Sequence, residues 1–267
     1  DWSVKKIKAI ILAAGQGTRL KKYTQDLPKG MLEFMGKTII ERQIELYRRC
    51  GITDITVVRG FMGEKIPYSG VKYYTNEDFA STNMVESLLA ARAEFTDDVI
   101  LSYSDILFSE EMLRTMAAVE GDFLVAVDRD WKEYWNARYG REDFDTESLV
   151  IDEWGCITSL GREDPPIEDI DARYVGLLKF SRRGLSVIER VMEKAHTLDE
   201  NEPWQQSGKP VRKAYMTDLL QALIEERERI QAVPFHHGWI EIDTNEDYET
   251  ACQWTRDGTL ARFVDLL

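Results

Sequence analysis

The sequence has few histidines and cysteines, no long hydrophobic run, and too few basic residues to balance its acidic ones. Each shortage narrows the function. Cys50, Cys156 and Cys252 are widely separated and odd in number, which fits a reducing cytoplasm and no zinc motif. Imidazole chemistry has only His196, His236 and His237 to draw on. No apolar stretch approaches the roughly 20 residues that cross a bilayer, and the start has no signal-peptide pattern, so no membrane partner is expected. With 34 Lys and Arg against 48 Asp and Glu, the net charge is −14. That argues against nucleic acid, whose sequence-independent grip comes from basic side chains. A single nucleotide needs only a few local donors and is not excluded.

What is present points to a folded domain. At 267 residues the chain is long enough for one large α/β domain, read as residues 1–267. Internal repeats, low-complexity tracts and interdomain linkers are lacking. The chain opens at Asp1 rather than Met, which fits a piece of a longer, fused polypeptide; nothing in the sequence fixes an oligomeric state.

Residues 7–14 (IKAIILAA) form a continuous apolar run ending at Gly15, the pattern of a strand buried on both faces. Residues 38–50 follow at helical spacing, then ITDITVVRG and VKYYTN as strands, a helix from Asn83 to Phe95, the strand DVILSYSD, a helix, and the strand DFLVAVD. Strands alternating with helices predict a Rossmann-like, doubly wound, mostly parallel sheet. Beyond Asp128, SLVIDEWGCITSLG reads as two strands around Gly155, ARYVGLLKFS as a further strand, 184–196 and 216–227 as helices, and AVPFHHGWIEID as strand, turn, strand. Residues 128–180 are expected to build a small β-containing lid over the carboxyl edge of the sheet.

The strongest signal is LAAGQGTRL at residues 12–20, followed by LPKGML at 27–32. A loop leaving a buried strand brings its N–H groups against a triphosphate only where side chains are small, which explains Ala13, Ala14, Gly15 and Gly17. Arg19 offers a planar fork to phosphate oxygens and Lys29 a compact charge. The Walker pattern is absent, and GQGTRL lacks the third small residue of the dinucleotide fingerprint.

Asp105 ends an apolar strand and so belongs at the carboxyl edge, where ligands of open α/β sheets bind. In GWIEIDT, alternation puts Trp239, Glu241 and Asp243 on one face. Crowded carboxylates need a cation, and Mg²⁺ answers with one or two of them plus substrate oxygens. Asn83, with Glu86 three residues on, reads either as a capping box or, with Ser81, Thr82 and Ser87, as a pocket wall. The segment holding Arg129, Trp131, Tyr134, Trp135, Arg138, Tyr139 and Arg141 supplies either acceptor contacts or a small lid core. Asp218 could pair with a primary amine. The histidine pair beside Gly238 reads as structural or solvated.

The run LAAGQGTRL followed by PKGML resembles the signature of the sugar-phosphate nucleotidylyltransferase superfamily, and the likeness continues through STNMVESL, Asp105, YVGLLKFS, MTDLL and GWIEIDT. Within it the chain looks most like the cytidylyltransferases of phosphocholine and of 2-aminoethylphosphonate. The resemblance implies that Leu12, Ala13, Ala14, Gly15, Gly17 and Thr18, with Thr82, Asn83, Ser87 and Ser104, hold CTP. It further implies that Arg19 and Lys29 stabilise charge during transfer, and that Asp105, Asp243 and Glu241 hold Mg²⁺. Arg129, Tyr174, Asp218 and Trp239 are the expected acceptor contacts. A phosphonate or phosphate acceptor is already an oxyanion, so little acid–base machinery is needed. Phosphocholine, 2-hydroxyethylphosphonate or a sugar 1-phosphate stand as alternative acceptors, and an inactive nucleotide-binding module as the alternative from another class.

Overall fold

The structure is a computed structural model that describes residues 5–267; Asp1, with which the chain opens, lies outside the described residues. Its elements in chain order are β1 (Ile7–Ala13), β2 (Glu33–Phe34), β3 (Lys37–Thr38), α1 (Ile39–Arg49), β4 (Ile55–Arg59), β5 (Lys72–Thr75) and α2 (Met84–Ala90). There follow β6 (Asp98–Tyr103), β7 (Ile106–Phe108), α3 (Glu110–Ala118), β8 (Phe123–Asp128), α4 (Trp131–Tyr139), β9 (Glu147–Ile151), β10 (Ile157–Glu163) and β11 (Arg173–Phe180). The chain ends with α5 (Arg182–Ala195), α6 (Met216–Glu225), β12 (Gln231–Phe235), β13 (Trp239–Glu241) and α7 (Asn245–Asp257).

Seven strands form the central sheet in the order β12-β8-β11-β6-β1-β4-β5. All neighbours are parallel except β11, which runs antiparallel between β6 and β8. The apolar run of β1 is explained by its place: Ala9, Ile11 and Ala13 belong to one apolar cluster and Ile10 and Leu12 to another. The first cluster takes in Ile40 and Ile44 of α1, Leu113 of α3 and Trp254 of α7; the second takes in Leu88 of α2, Ile188 of α5 and Leu219 of α6. Helices thus cover both faces, and the fold is Rossmann-like and doubly wound. Truncating a strand residue such as Ile11 to Ala is expected to cost about 2–5 kcal/mol.

Helix starts follow local chemistry. Thr38 accepts from the Glu41 amide at 3.0 Å, Ser109 from Met112 at 3.2 Å and Ser181 from Gly184 at 2.9 Å. At α2 the Asn83 side chain accepts from Met84, but Glu86 turns away to His196, so the expected capping box does not form.

The lid differs from its expected bounds. The strands around Gly155 do pair, as the antiparallel ribbon β9–β10. But β11 is a strand of the central sheet, and α4 buries Trp131, Tyr134 and Trp135 in the core. Residues 128–180 are therefore not one lid; only the ribbon and its flanking loops stand over the sheet edge. Strand β7 and helix α7 went unpredicted, the first because three residues are too few to show a period, the second because only Ala251, Trp254 and Asp247 of it are buried.

Candidate active site

Strand β1 lies inside the sheet between β6 and β4, and the chain leaves it through Ala14–Gly17. Gly17 has φ 65°, in the left-handed region, and a β-carbon there would sit 2.9 Å from Lys29 Cβ. Gly15 is exposed, and a β-carbon there would meet nothing within 4 Å, so its backbone is open to a ligand. The segment carrying Lys29 closes against the neighbouring strand end. A β-carbon on Gly30 would come to 2.7 Å from Ile40 Cδ1 and 3.0 Å from Ser104 Cβ.

Two carboxylates arrive from distant parts of the chain. Asp105 follows β6, and the next residues form β7, which pairs antiparallel with β13 so that Ile106 faces Glu241. The Ile242 amide extends the ladder to the Asp105 carbonyl at 2.8 Å. Lys29 Nζ stands 2.7 Å from Asp105 Oδ2 and 3.5 Å from Asp243 Oδ1. Arg19 pairs with the other Asp243 oxygen and lies 3.4 Å from Asp145 Oδ2.

The electrostatics follow from this crowding. Burial opposes the Lys29 charge, but Asp105 and Asp243 outweigh it and hold the ammonium above its ordinary range. Burial, with Glu241 and Asp105 nearby, pushes the Asp243 carboxyl up to about 6 despite Lys29 and Arg19. Burial also works against an ionised Glu241, yet Arg138 and Arg173 hold it below the usual carboxylate range.

Over these groups opens a cleft of about 630 Å³. Its walls carry seven carboxylates (Asp105, Asp145, Glu147, Glu163, Asp164, Glu241 and Asp243) and three cations (Arg19, Lys29 and Arg173). Asp105 Oδ1 is buried without a hydrogen-bond partner among the described residues. An orphaned carboxylate oxygen in an excess of negative charge is a donor that suits a hard cation. Among the described residues no three His, Cys, Asp or Glu converge as a complete metal cage. Asp105 and Asp243 could thus hold a Mg²⁺ ion that takes its remaining ligands from water and substrate oxygens, its usual habit.

A family model for the MobA-like NTP transferase domain matches residues 9–224. The chain belongs to this family. A CTP:phosphoglutamine cytidylyltransferase of Campylobacter jejuni is 33% identical over 254 residues, covering 91% of this chain and 98% of that protein. A choline-phosphate cytidylyltransferase of Streptococcus pneumoniae is 29% identical over 150 residues, or 55% of this chain and 64% of that one. A solved CTP:phosphocholine cytidylyltransferase from Streptococcus pneumoniae superposes with a TM-score of 0.74 at 22% identity, covering 94% of this chain and 99% of that one. The chain is a nucleotidyltransferase.

The cleft brings together many of the residues singled out from sequence. Gly17, Thr18, Arg19, Lys29, Asn83, Asp105, Tyr174, Glu241 and Asp243 all line it. Leu12, Ala13, Ala14 and Ser104 are buried and are not in its lining. Thr82 and Ser87 are not in the lining; both accept from the Asn76 side chain, and Ser87 is buried.

Three expected acceptor contacts lie elsewhere. Asp218 is buried at the start of α6, where it accepts from the Tyr215 amide at 2.8 Å and the Ser207 hydroxyl at 2.9 Å, so no amine reaches it. Trp239 is buried, its Nε1 donating to Asp128 at 2.9 Å; alternation set its face correctly, but that face meets the core of α4 before it meets the cleft. The Arg129 side chain is exposed and donates to the Asp171 carbonyl at 3.4 Å. His237 is tied to Glu133 at 3.0 Å and His236 is exposed beside Asp130, the structural reading of the pair.

Sequence reasoning missed Arg173, Tyr103, Asp145 and Glu147. Arg173, Tyr174 and Val175 line the cleft in succession, which period-two alternation forbids. The cause is a register shift in β11 beside Gly176, which has φ 91° and whose β-carbon would lie 3.0 Å from the Tyr103 ring. Arg173 stacks 4.6 Å from the Trp135 ring, and its buried Nε has no partner among the described residues. Tyr103 and Tyr174 share a hydroxyl–hydroxyl bond of 2.7 Å.

Proposed function

We propose that the chain is a Mg²⁺-dependent cytidylyltransferase that moves CMP from CTP to a small phosphonate or phosphate and releases pyrophosphate, with 2-aminoethylphosphonate the leading acceptor. The observation that carries the reading is the Lys29 ammonium set between Asp105 and Asp243 at the mouth of the glycine loop. CTP as donor rests on the relatives, two of which are named for cytidylyl transfer from CTP or onto choline phosphate. A streptomycete synthase named for a CMP-linked aminopropylphosphonate is 29% identical over 131 residues, or 46% of this chain and 21% of that one.

In the transfer an acceptor oxyanion attacks the α-phosphorus, a new P–O bond forms, and the bond to pyrophosphate breaks. No proton must leave the nucleophile, which suits a cleft whose lining contains no histidine. Arg19 and Lys29 neutralise the charge that gathers on the phosphoryl oxygens. Asp105 and Asp243 would hold Mg²⁺, which supplies a Lewis acid for the triphosphate oxygens. Arg173, which pairs with no carboxylate among the described residues, suits the acceptor's own oxyanion. Glu147, Glu163 and Asp164 give the lid side of the cleft an acidic wall that suits an amine; Asp218 no longer supports that choice. The three free cysteines support a cytoplasmic setting.

A second reading, a phosphorylated amino-acid amide as acceptor, is favoured by the Campylobacter jejuni relative, whose similarity spans nearly the whole chain. The test is pyrophosphate release with Mg²⁺, crossing four NTPs with 2-aminoethylphosphonate, 2-hydroxyethylphosphonate, phosphocholine, phosphoglutamine and glucose 1-phosphate. Release with CTP and 2-aminoethylphosphonate is expected. Release only with phosphoglutamine moves the assignment to the second reading. Release only with the sugar phosphate overturns the branch, and no CTP binding by calorimetry overturns the reading altogether.

A further inference from the structure

Helix α4, expected as part of a lid, meets the catalytic strand from behind. Its Tyr134 hydroxyl accepts from the Glu241 amide at 2.9 Å. One turn on, the Arg138 guanidinium is almost wholly buried and makes three charged bonds. Nη1 donates to Glu241 Oε1 at 2.8 Å, Nε to Asp247 Oδ1 at 2.7 Å and Nη2 to Asp247 Oδ2 at 2.6 Å. Asp247 then accepts the amides of Asp243 at 3.1 Å and Thr244 at 3.0 Å. Rings of Tyr139 and Trp135 flank the guanidinium at 4.5 and 5.1 Å. Every atom of the fork has a set place, and the two carboxylates it holds stand on either side of Asp243.

We propose that Arg138 is a positioning residue that fixes Asp243, through Asp247 and Glu241, in the place where it binds the divalent cation. The inference rests on the reading of Asp105 and Asp243 as the cation's carboxylates. Its physical basis is geometric. Without the fork, Asp247 loses two of its donors, the turn at Asp243 and Thr244 loses its anchor, and Glu241 is released toward a cleft already rich in negative charge. Arg138 acts through these neighbours and does not line the cleft. The same bond leaves Glu241 with Oε1 engaged and only Oε2 facing other partners. A lysine keeps the charge but cannot reach three oxygens with a planar fork.

The test measures Mn²⁺ affinity, by electron paramagnetic resonance, of the full chain with an unreactive CTP analogue and no acceptor. Arg138→Lys is compared with wild type and with Asp243→Asn, and folding is checked by thermal melting. Arg138→Lys is expected to bind Mn²⁺ at least about tenfold more weakly, with CTP-analogue affinity in the absence of metal changed less than about threefold. Adding Glu241→Gln to Arg138→Lys should cost less than it costs in wild type, since both act on one network. Wild-type Mn²⁺ affinity in a folded Arg138→Lys, with Asp243→Asn weakened, overturns the positioning role alone. Unchanged affinity in Asp243→Asn overturns the metal reading beneath it. Should Arg138→Lys fail to fold, Asp247→Asn, which also breaks the fork, decides by the same two outcomes.

Discussion

The Ile242 amide donates to the Asp105 carbonyl at 2.8 Å, and this bond places Asp243 across from Asp105 with the Lys29 ammonium between them. Two short strands, β7 and β13, thus do for the site what no local sequence does: they join the end of the central sheet to a segment near the end of the chain.

Asp105→Asn should lower turnover by about 100-fold or more, on the scale of losing one preorganised electrostatic contact to the transition state, while thermal melting stays near wild type. Chelation by EDTA should stop the wild-type reaction and added Mg²⁺ restore it. Near-normal turnover in Asp105→Asn with an unchanged Mg²⁺ requirement would remove Asp105 from the cation's site.

Lys29→Ala should lower kcat by at least about tenfold, equivalent to about 1.4 kcal/mol of transition-state stabilisation. Steady-state kinetics with saturating CTP check this. A change in the KM for CTP with kcat intact would assign Lys29 to ground-state binding instead.

Gly17→Ala should destabilise the fold by about 1–3 kcal/mol, because φ 65° strains a β-carbon that would also sit 2.9 Å from Lys29 Cβ. Displacing Lys29 should reduce kcat/KM as well. Urea denaturation alongside kinetics separates the two effects, and an alanine enzyme equal to wild type in both would contradict the close packing.

Asp218→Ala should destabilise by about 1–3 kcal/mol, since the Tyr215 amide and the Ser207 groups lose a buried acceptor. The ranking of acceptors should not change. A selective rise in KM for amine-bearing acceptors would show that Asp218 reaches the cleft after all.

Arg173→Met should raise the KM of the acceptor about tenfold or more and leave that of CTP nearly unchanged, the loss expected of one charge-assisted contact. Equal losses for both substrates would place Arg173 with the nucleotide.

Several features were legible in the sequence because they are local. The run IKAIILAA could be buried on both faces only in a central parallel strand, and β1 holds that place between β4 and β6. The glycines, Arg19 and Lys29 were singled out from one short segment, and both side chains line the cleft. A strand-end Asp105 at the carboxyl edge follows from β–α alternation alone. Asp218 and Trp239 show the limit of such reasoning. Both have the right chemistry, but a cap and an α4 core contact use them up.

The sequence by itself determined the fold class, the small-residue loop after β1 and the placing of Asp105 at a strand end, because each rests on interactions between near neighbours. Only the tertiary structure decided which of those groups meet. Antiparallel β11 enters the central sheet, its irregularity at Gly176 turns Arg173 and Tyr174 together into the cleft, and α4 packs inward with Arg138 behind Asp243. Such pairings join segments far apart in the chain, and they are set by which buried surfaces and charges satisfy one another after collapse, which no residue's neighbours in sequence specify.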